Sequence, residues 1–210
     1  MEICVIMFYD ENIKSYGDLN YCINKFYCKK YNLKIIVSNE KKTNRCSMWE
    51  RLPMILDNIS KYDYLIWIDA DAFFYIDAGN ISDIINNNTN VDFIFSKDYG
   101  NRNINTGFFI VKNSQYTIDF ISRWLYDEEL CNNNPYPYWP DQGVLIDMYD
   151  KNILEIQQKS IKLDYGILQH FKEYDKLDKT FVFHLAGTSF EERYETSKKY
   201  LAQLNYKYFF

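Results

Sequence analysis

The sequence predicts an α/β fold: a mostly parallel, Rossmann-like central sheet flanked by helices, with a mixed second half, all in a single domain. Three observations predict it. A length of 210 residues suits one domain. Hydrophobic residues make up 47% of the chain, enough for a packed core. Short apolar runs of strand length alternate with segments whose apolar residues recur at helical spacing, the pattern of parallel strands joined by helices.

The elements follow in order. Ile3–Phe8 is continuously apolar and reads as a buried strand. Across Asp18–Tyr31, Leu19, Cys22, Ile23, Phe26 and Tyr27 share one helical face. Lys34–Val37 is the next strand. Trp49–Ile59 reads as a helix with Leu52, Ile55, Leu56 and Ile59 inward, and Tyr64–Ile68 as a third strand. In the second half, Phe93–Ser96 and Thr106–Lys112 are strands, and Gln115–Tyr126 is a helix with Ile118, Ile121, Trp124 and Leu125 on one side. Asp141–Tyr149 is a short helix opening on a polar cap, Thr180–His184 a late strand and Glu191–Leu204 a closing helix. The Asn-rich pieces Asn86–Asn88 and Asn132–Asn134 read as loops. All strands are expected to join one continuous sheet.

Composition removes several function classes. A net charge of −5 and a pI near 5.1 argue against a nucleic-acid binder, which presents a basic surface. No stretch reaches the roughly 20 apolar residues of a membrane span. Five cysteines, an odd number without a CxxC pair, argue against zinc or disulfide frameworks and for a reducing compartment, the cytoplasm. Aromatic residues reach 19%, enough to line a cleft as well as a core.

Four segments carry chemistry. Tyr64–Ile68 delivers Asp69-Ala70-Asp71 at the carboxyl end of a buried strand, the edge where ligands of open α/β sheets bind. Two carboxylates so close repel unless a cation intervenes, and hard divalent ions take oxygen ligands, with a diphosphate supplying more. Phe181–Thr188 holds His184 at a strand end, a candidate metal ligand, followed by Gly187, where backbone amides can approach a phosphate. Tyr136–Gly143 sets Asp141 and Gln142 behind a proline–aromatic wall. Asn103–Asn113 offers Asn105 and Thr106 to a sugar, with Gly107 leaving room. A phosphoaspartyl hydrolase also uses D-x-D after a strand. It places the motif at its first strand, with a small hydroxyl or β-branched residue where Phe73 stands here. It stays as an alternative, as does a non-catalytic sugar- or nucleotide-binding module.

Taken in order, Trp67–Ala72, Asn105–Phe109, Asp141-Gln142 and Phe183–Gly187 resemble the GT-A glycosyltransferases. More narrowly, the set is similar to the galactosyl/mannosyl/xylosyltransferase group (glycosyltransferase family 34) and its large-DNA-virus relatives. The resemblance covers roughly residues 3–190. It implies a donor-binding half over about residues 1–100 and an acceptor-side half over about 101–210. It implies manganese, or magnesium, held by Asp71 and His184, with Asp69 reaching the metal or the donor ribose. The partners implied are a nucleotide-sugar donor, UDP-linked, and a glycan acceptor, with retention at the anomeric carbon. Gln142 would lie near that carbon and Asp141 would position hydroxyls. The base would sit near Tyr9 and Asp10, with Trp49 and Arg51 nearby, while Ala70, Asn105, Thr106 and Gly187 contact the donor. Lys112 or Arg102 would assist the leaving phosphate. If transfer were inverting, Asp141 or Asp98 would be the base.

Overall fold

The computed structural model describes residues 1–101, 103–172 and 178–209. The first half runs β1 (Ile3–Phe8), α1 (Lys14–Lys30), β2 (Lys34–Ser38), α2 (Arg51–Asn58), β3 (Tyr64–Ile68), β4 (Ala72–Phe74), α3 (Ser82–Asn86) and β5 (Phe93–Lys97). It continues through β6 (Ile104–Lys112), α4 (Gln115–Tyr126), α5 (Glu128–Asn132), α6 (Pro140–Asp150) and α7 (Ile156–Lys159). The last elements are β7 (Ser160–Leu163), β8 (Gln169–His170), β9 (Val182–His184) and α8 (Phe190–Phe209).

Six strands form the larger sheet in the order β2-β1-β3-β6-β5-β7. The β1–β2, β1–β3 and β5–β7 pairs are parallel, and β6 runs antiparallel to both neighbours. The alternation along β1 and β3 is hidden in the sequence because both faces are buried. Val5, Met7, Ile66 and Ile68 pack on one side with Ile23, Tyr27 and Leu204 of α1 and α8. Ile6, Phe8, Leu65 and Trp67 pack on the other with Leu52 and Ile55 of α2, Trp124 of α4 and Leu145 of α6. Successive residues thus serve opposite faces, as the pleat requires.

The expectation of one continuous sheet is corrected. The strand ending at His184 belongs to a second sheet in the order β4-β9-β8, where Ala72 pairs with His184. Strands of two or three residues are too short to leave a periodic signal. Helix ends shift as well. α1 begins at Lys14, after a 3-10 turn that Asp10 caps through the Asn12 amide. α6 starts with Pro140 and has no side-chain cap, so the polar cap expected of Asp141 is absent. Its carboxylate points inward instead. Asn132 ends α5 rather than lying in a loop.

Two buried asparagines on α1, one turn apart, hold the strand junction. Asn20 Nδ2 donates to the Ala70 carbonyl at 2.8 Å. Asn24 Nδ2 donates to the Ala72 carbonyl at 3.2 Å and its Oδ1 accepts from Phe74 N–H at 2.9 Å. Removing Asn24 leaves buried backbone groups unpaired. Asn24→Ala is therefore expected to lower the unfolding free energy by about 2 kcal/mol or more. Urea denaturation measures this, and an unchanged midpoint would assign these contacts no stabilising role.

Candidate functional site

The D-x-D segment occupies the point where the chain leaves one sheet for the other. Asp69 N–H still donates to the Gly107 carbonyl of β6 at 2.8 Å, whereas the Asp71 carbonyl accepts from Leu185 N–H beside β9 at 2.8 Å. This junction brings Asp69, Asp71 and His184 together. Each offers one ligand atom, and the three atoms lie within 4.8 Å of one another, the one such group among the described residues. His184 Nε2 is 3.3 Å from Asp71 Oδ1 and 3.9 Å from Asp69 Oδ2. Two carboxylate oxygens and one imidazole nitrogen fit a divalent cation of the manganese type, which accepts nitrogen beside oxygen more readily than magnesium does. Three donors also leave coordination positions open for a ligand.

The charges around this group are balanced by two arginines. Arg51 is buried. Its Nη2 lies 3.4 Å from Asp69 Oδ1 and its Nε 3.0 Å from Asp141 Oδ2, while Nη1 donates to the Thr106 carbonyl. Arg193, on α8, places Nη2 3.1 Å from Asp71 Oδ2 and Nη1 3.4 Å from the Tyr16 hydroxyl. Burial pushes the Asp71 carboxyl up, but the His184 and Arg193 charges outweigh it, and the net direction is down. Burial lowers His184, and the Asp71 and Asp69 charges more than reverse it. Asp141 is pushed up to about 6 by burial, with Arg51 opposing.

Two adjoining clefts meet at Met48, Arg51, Asp69, Asp71 and Arg193. One continues along Phe8, Ile13, Tyr16, Ser47, Trp67 and Ala70. The other includes Asp98, Asn105, Thr106, Trp139, Asp141, Gln142, His184 and Gly187. Tyr9, Asp10 and Trp49 are not among the lining residues. Tyr9 packs on Gly17 and donates its hydroxyl to Asp18 at 2.7 Å, because this side of β1 faces α1. Asp10 accepts from Ser47 Oγ at 2.7 Å, and Trp49 is buried under Arg45. Lys112 donates to the Thr89 carbonyl and lies outside both clefts, and Arg102 lies outside the described residues.

Several side chains are already committed. Thr106 N–H and Oγ1–H reach Gln142 Oε1 at 3.0 and 3.2 Å. A backbone N–H can only donate, so the amide oxygen of Gln142 faces β6 and its amino group is the end left for the cleft. Asn105 Oδ1 accepts from Gly107 N–H and Gln169 Nε2, and its carboxamide also bonds Asp98, whose carboxyl burial pushes up. Gly187 adopts φ +71 with nothing near a substituted Cβ, so the turn is open but favours glycine. Arg193, Met48, Tyr16 and Gln169 were missed in the sequence. Arg193 sits in the charged segment Glu191-Glu192-Arg193, which reads as a solvated helix face, and only its return to Asp71 sets it apart.

Gly107 lines the second cleft and makes room there for His184. A methyl group there would overlap the imidazole at Cε1, Nδ1 and Nε2. Gly107→Ala should displace the ring and weaken Mn2+ binding, measured by calorimetric titration of the purified protein. Undiminished binding in a folded variant would remove His184 from the ligand set.

A family described as "Protein of unknown function, DUF273" matches residues 24–182. No curated protein matches the chain significantly. Among solved structures, a glycosyltransferase involved in the glycosylation of the major capsid of PBCV-1 is similar at a TM-score of 0.76 and 18% identity, over 95% of this chain and 100% of that one. The apo form of the glycosyltransferase GlyE from Streptococcus pneumoniae aligns at 0.53 and 14% identity, over 78% of this chain and 45% of that one. The galactosyltransferase LgtC, solved with donor and acceptor sugar analogs, aligns at 0.51 and 11% identity, over 93% and 95%. At such identities the likeness speaks for architecture. The chain belongs to the DUF273 family, and it is built on the GT-A glycosyltransferase fold.

Proposed function

We propose that this protein transfers a sugar, hexosyl or pentosyl, from a nucleotide-sugar donor, UDP-linked, to a hydroxyl of a glycan. The reaction depends on manganese or magnesium and retains the anomeric configuration. One observation carries the reading: Asp69, Asp71 and His184 converge at the carboxyl edge of β3, on a fold shared with glycosyltransferases. The site's charge supports it. Asp69, Asp71, Asp98 and Asp141 face Arg51 and Arg193 across one cleft, so carboxylates outnumber guanidinium groups. A diphosphate would be repelled there without a cation. The similarity to a protein involved in capsid glycosylation supports a viral setting. Five free cysteines fit a reducing cytoplasm, and among the described residues no helix is long and apolar enough to cross a membrane.

The chemistry to be solved is departure of the diphosphate. A bound divalent ion would supply Lewis-acid stabilisation of that leaving group. Arg193, shared by both clefts and reaching Asp71, would meet the remaining phosphate charge. The first cleft, with Tyr16, Met48 and Trp67, would take the nucleoside, and the second the sugar and acceptor. The bond from the anomeric carbon to the phosphate oxygen breaks, and the acceptor oxygen bonds to that carbon from the same face. The departing phosphate oxygen takes the acceptor's proton, so no strong protein base is required. Asp141, buried and paired with Arg51, fits a positioning role better than that of an inverting base. Gln142 would donate from its amino group to a sugar hydroxyl or to the leaving oxygen.

Two measurements test this. Release of UDP from UDP-sugars should require Mn2+ and rise with added acceptor, and EDTA or Asp71→Ala should abolish it. Full activity under either condition would end the metal mechanism, and release of phosphate from simple esters would favour the hydrolase. Gln142→Ala should lower kcat by about 10²–10³-fold with donor affinity nearly intact, the mark of a contact strongest in the transition state. Single-turnover kinetics beside donor titration separate the two effects, and a fully active variant would release Gln142 from the reaction.

A further inference from the structure

Behind the three candidate ligands lies a chain of buried amides that no part of the proposed reaction uses. It starts from an unambiguous donor. Gly107 N–H, in β6, points to the Asn105 side chain at 2.9 Å, so the atom it meets is Oδ1. The same oxygen lies 3.0 Å from the Gln169 carboxamide, which must therefore turn its amino group that way. That leaves Gln169 Oε1 facing His184 Nδ1 at 2.9 Å. An amide oxygen only accepts, so Nδ1 carries a proton. In the neutral ring the lone pair then sits on Nε2, the nitrogen directed at Asp71 and Asp69.

We propose that Gln169, held by Asn105, is a positioning residue that fixes the His184 tautomer and ring orientation so that Nε2 is free to bind the cation. This rests on the reading of Asp69, Asp71 and His184 as a metal site. Gln169 is fully buried, and Asn105 and His184 are nearly so, so water offers no ready alternative partner for either amide. The opposite tautomer would set the Nδ1 lone pair against Gln169 Oε1 and leave two buried acceptors facing each other. The ring is confined on its other sides. Gly107 lies against it, and Phe171 meets it edge to face at 5.3 Å. The relay also gives Asn105 a role different from the donor contact expected of it.

The test compares two variants of nearly equal length. Gln169→Met removes the acceptor, whereas Gln169→Glu keeps an oxygen for Nδ1–H. Mn2+ affinity is measured by electron paramagnetic resonance on the protein alone. Gln169→Met should lose about 10–100-fold, the usual effect of removing such an outer partner. Gln169→Glu should bind more tightly than Gln169→Met even if its melting temperature is lower, since its second oxygen faces Asn105 Oδ1. A merely structural role would move melting temperature in both and leave affinity in step with it. Independently of any variant, 15N shifts of His184 in the Mg2+-loaded parent should show Nδ1 protonated and no proton on Nε2. Equal Mn2+ affinity in parent and Gln169→Met, or a proton on Nε2 with none on Nδ1, would overturn the relay while leaving the metal site standing. A parent protein that binds no Mn2+ would overturn the metal reading and the relay with it.

Discussion

Asp69, Asp71 and Asp141 crowd one edge of the larger sheet, and much of their surroundings answers the repulsion among them. In a poorly solvated site, carboxylates only a few ångströms apart do not all stay ionised without nearby positive charge or donors. Arg51 spans two of them from the start of α2, and the face of Trp67 lies 5.3 Å from its guanidinium. The indole nitrogen of the same Trp67 donates to Asp69 at 2.6 Å. Arg193 reaches the third carboxylate from the opposite end of the chain. Burying a guanidinium is tolerable only where such partners surround it, so each of these side chains fixes the others. The helices α2, α6 and α8 are thereby positioned by charge as well as by their apolar faces.

The parts of this arrangement legible in the sequence were those written in apolar runs. β1, β3 and α4 could be read because six, five and twelve residues leave a pattern. The pair Asp69 and Asp71 stood out by ending such a run, and His184 by closing a shorter one. The small second sheet was illegible because β4, β8 and β9, at two or three residues each, are too short to repeat a pattern. Asn20, Asn24 and Gln169 were invisible for another reason: polar residues are read as exposed unless something says otherwise, and what buries them is long-range pairing with backbone and side chains. Tyr9 and Trp49 show the converse. Both adjoin the first cleft in sequence, but the side each occupies depends on how helices pack against the sheet.

Counting which polar atoms are already paired narrows what a ligand can touch. Gln142 has committed its oxygen to Thr106, and Asn105 its oxygen to Gly107 and Gln169. Asp141 Oδ2 lies 3.0 Å from Arg51 Nε, whose hydrogen goes to the Met48 carbonyl, so this oxygen keeps no hydrogen-bond partner of its own. The groups that remain include the Gln142 amino group, Asp141 Oδ2 and the two carboxylates of the D-x-D segment. A cleft of that kind is poorly matched to a bare cation-poor anion and well matched to an anion that arrives with its own metal.

Because Asp69 is fastened to the larger sheet and Asp71 and His184 to the smaller, the spacing between ligand atoms is also a gauge of how the sheets lie against each other. A sub-ångström slide of one sheet would open or close the trio, with only the short Asp69–Asp71 turn between them. An ion seated there would act as a rivet between layers, and the layers would in turn select the ion by its radius. Recognition of the cation and rigidity of the scaffold are then a single mechanical property.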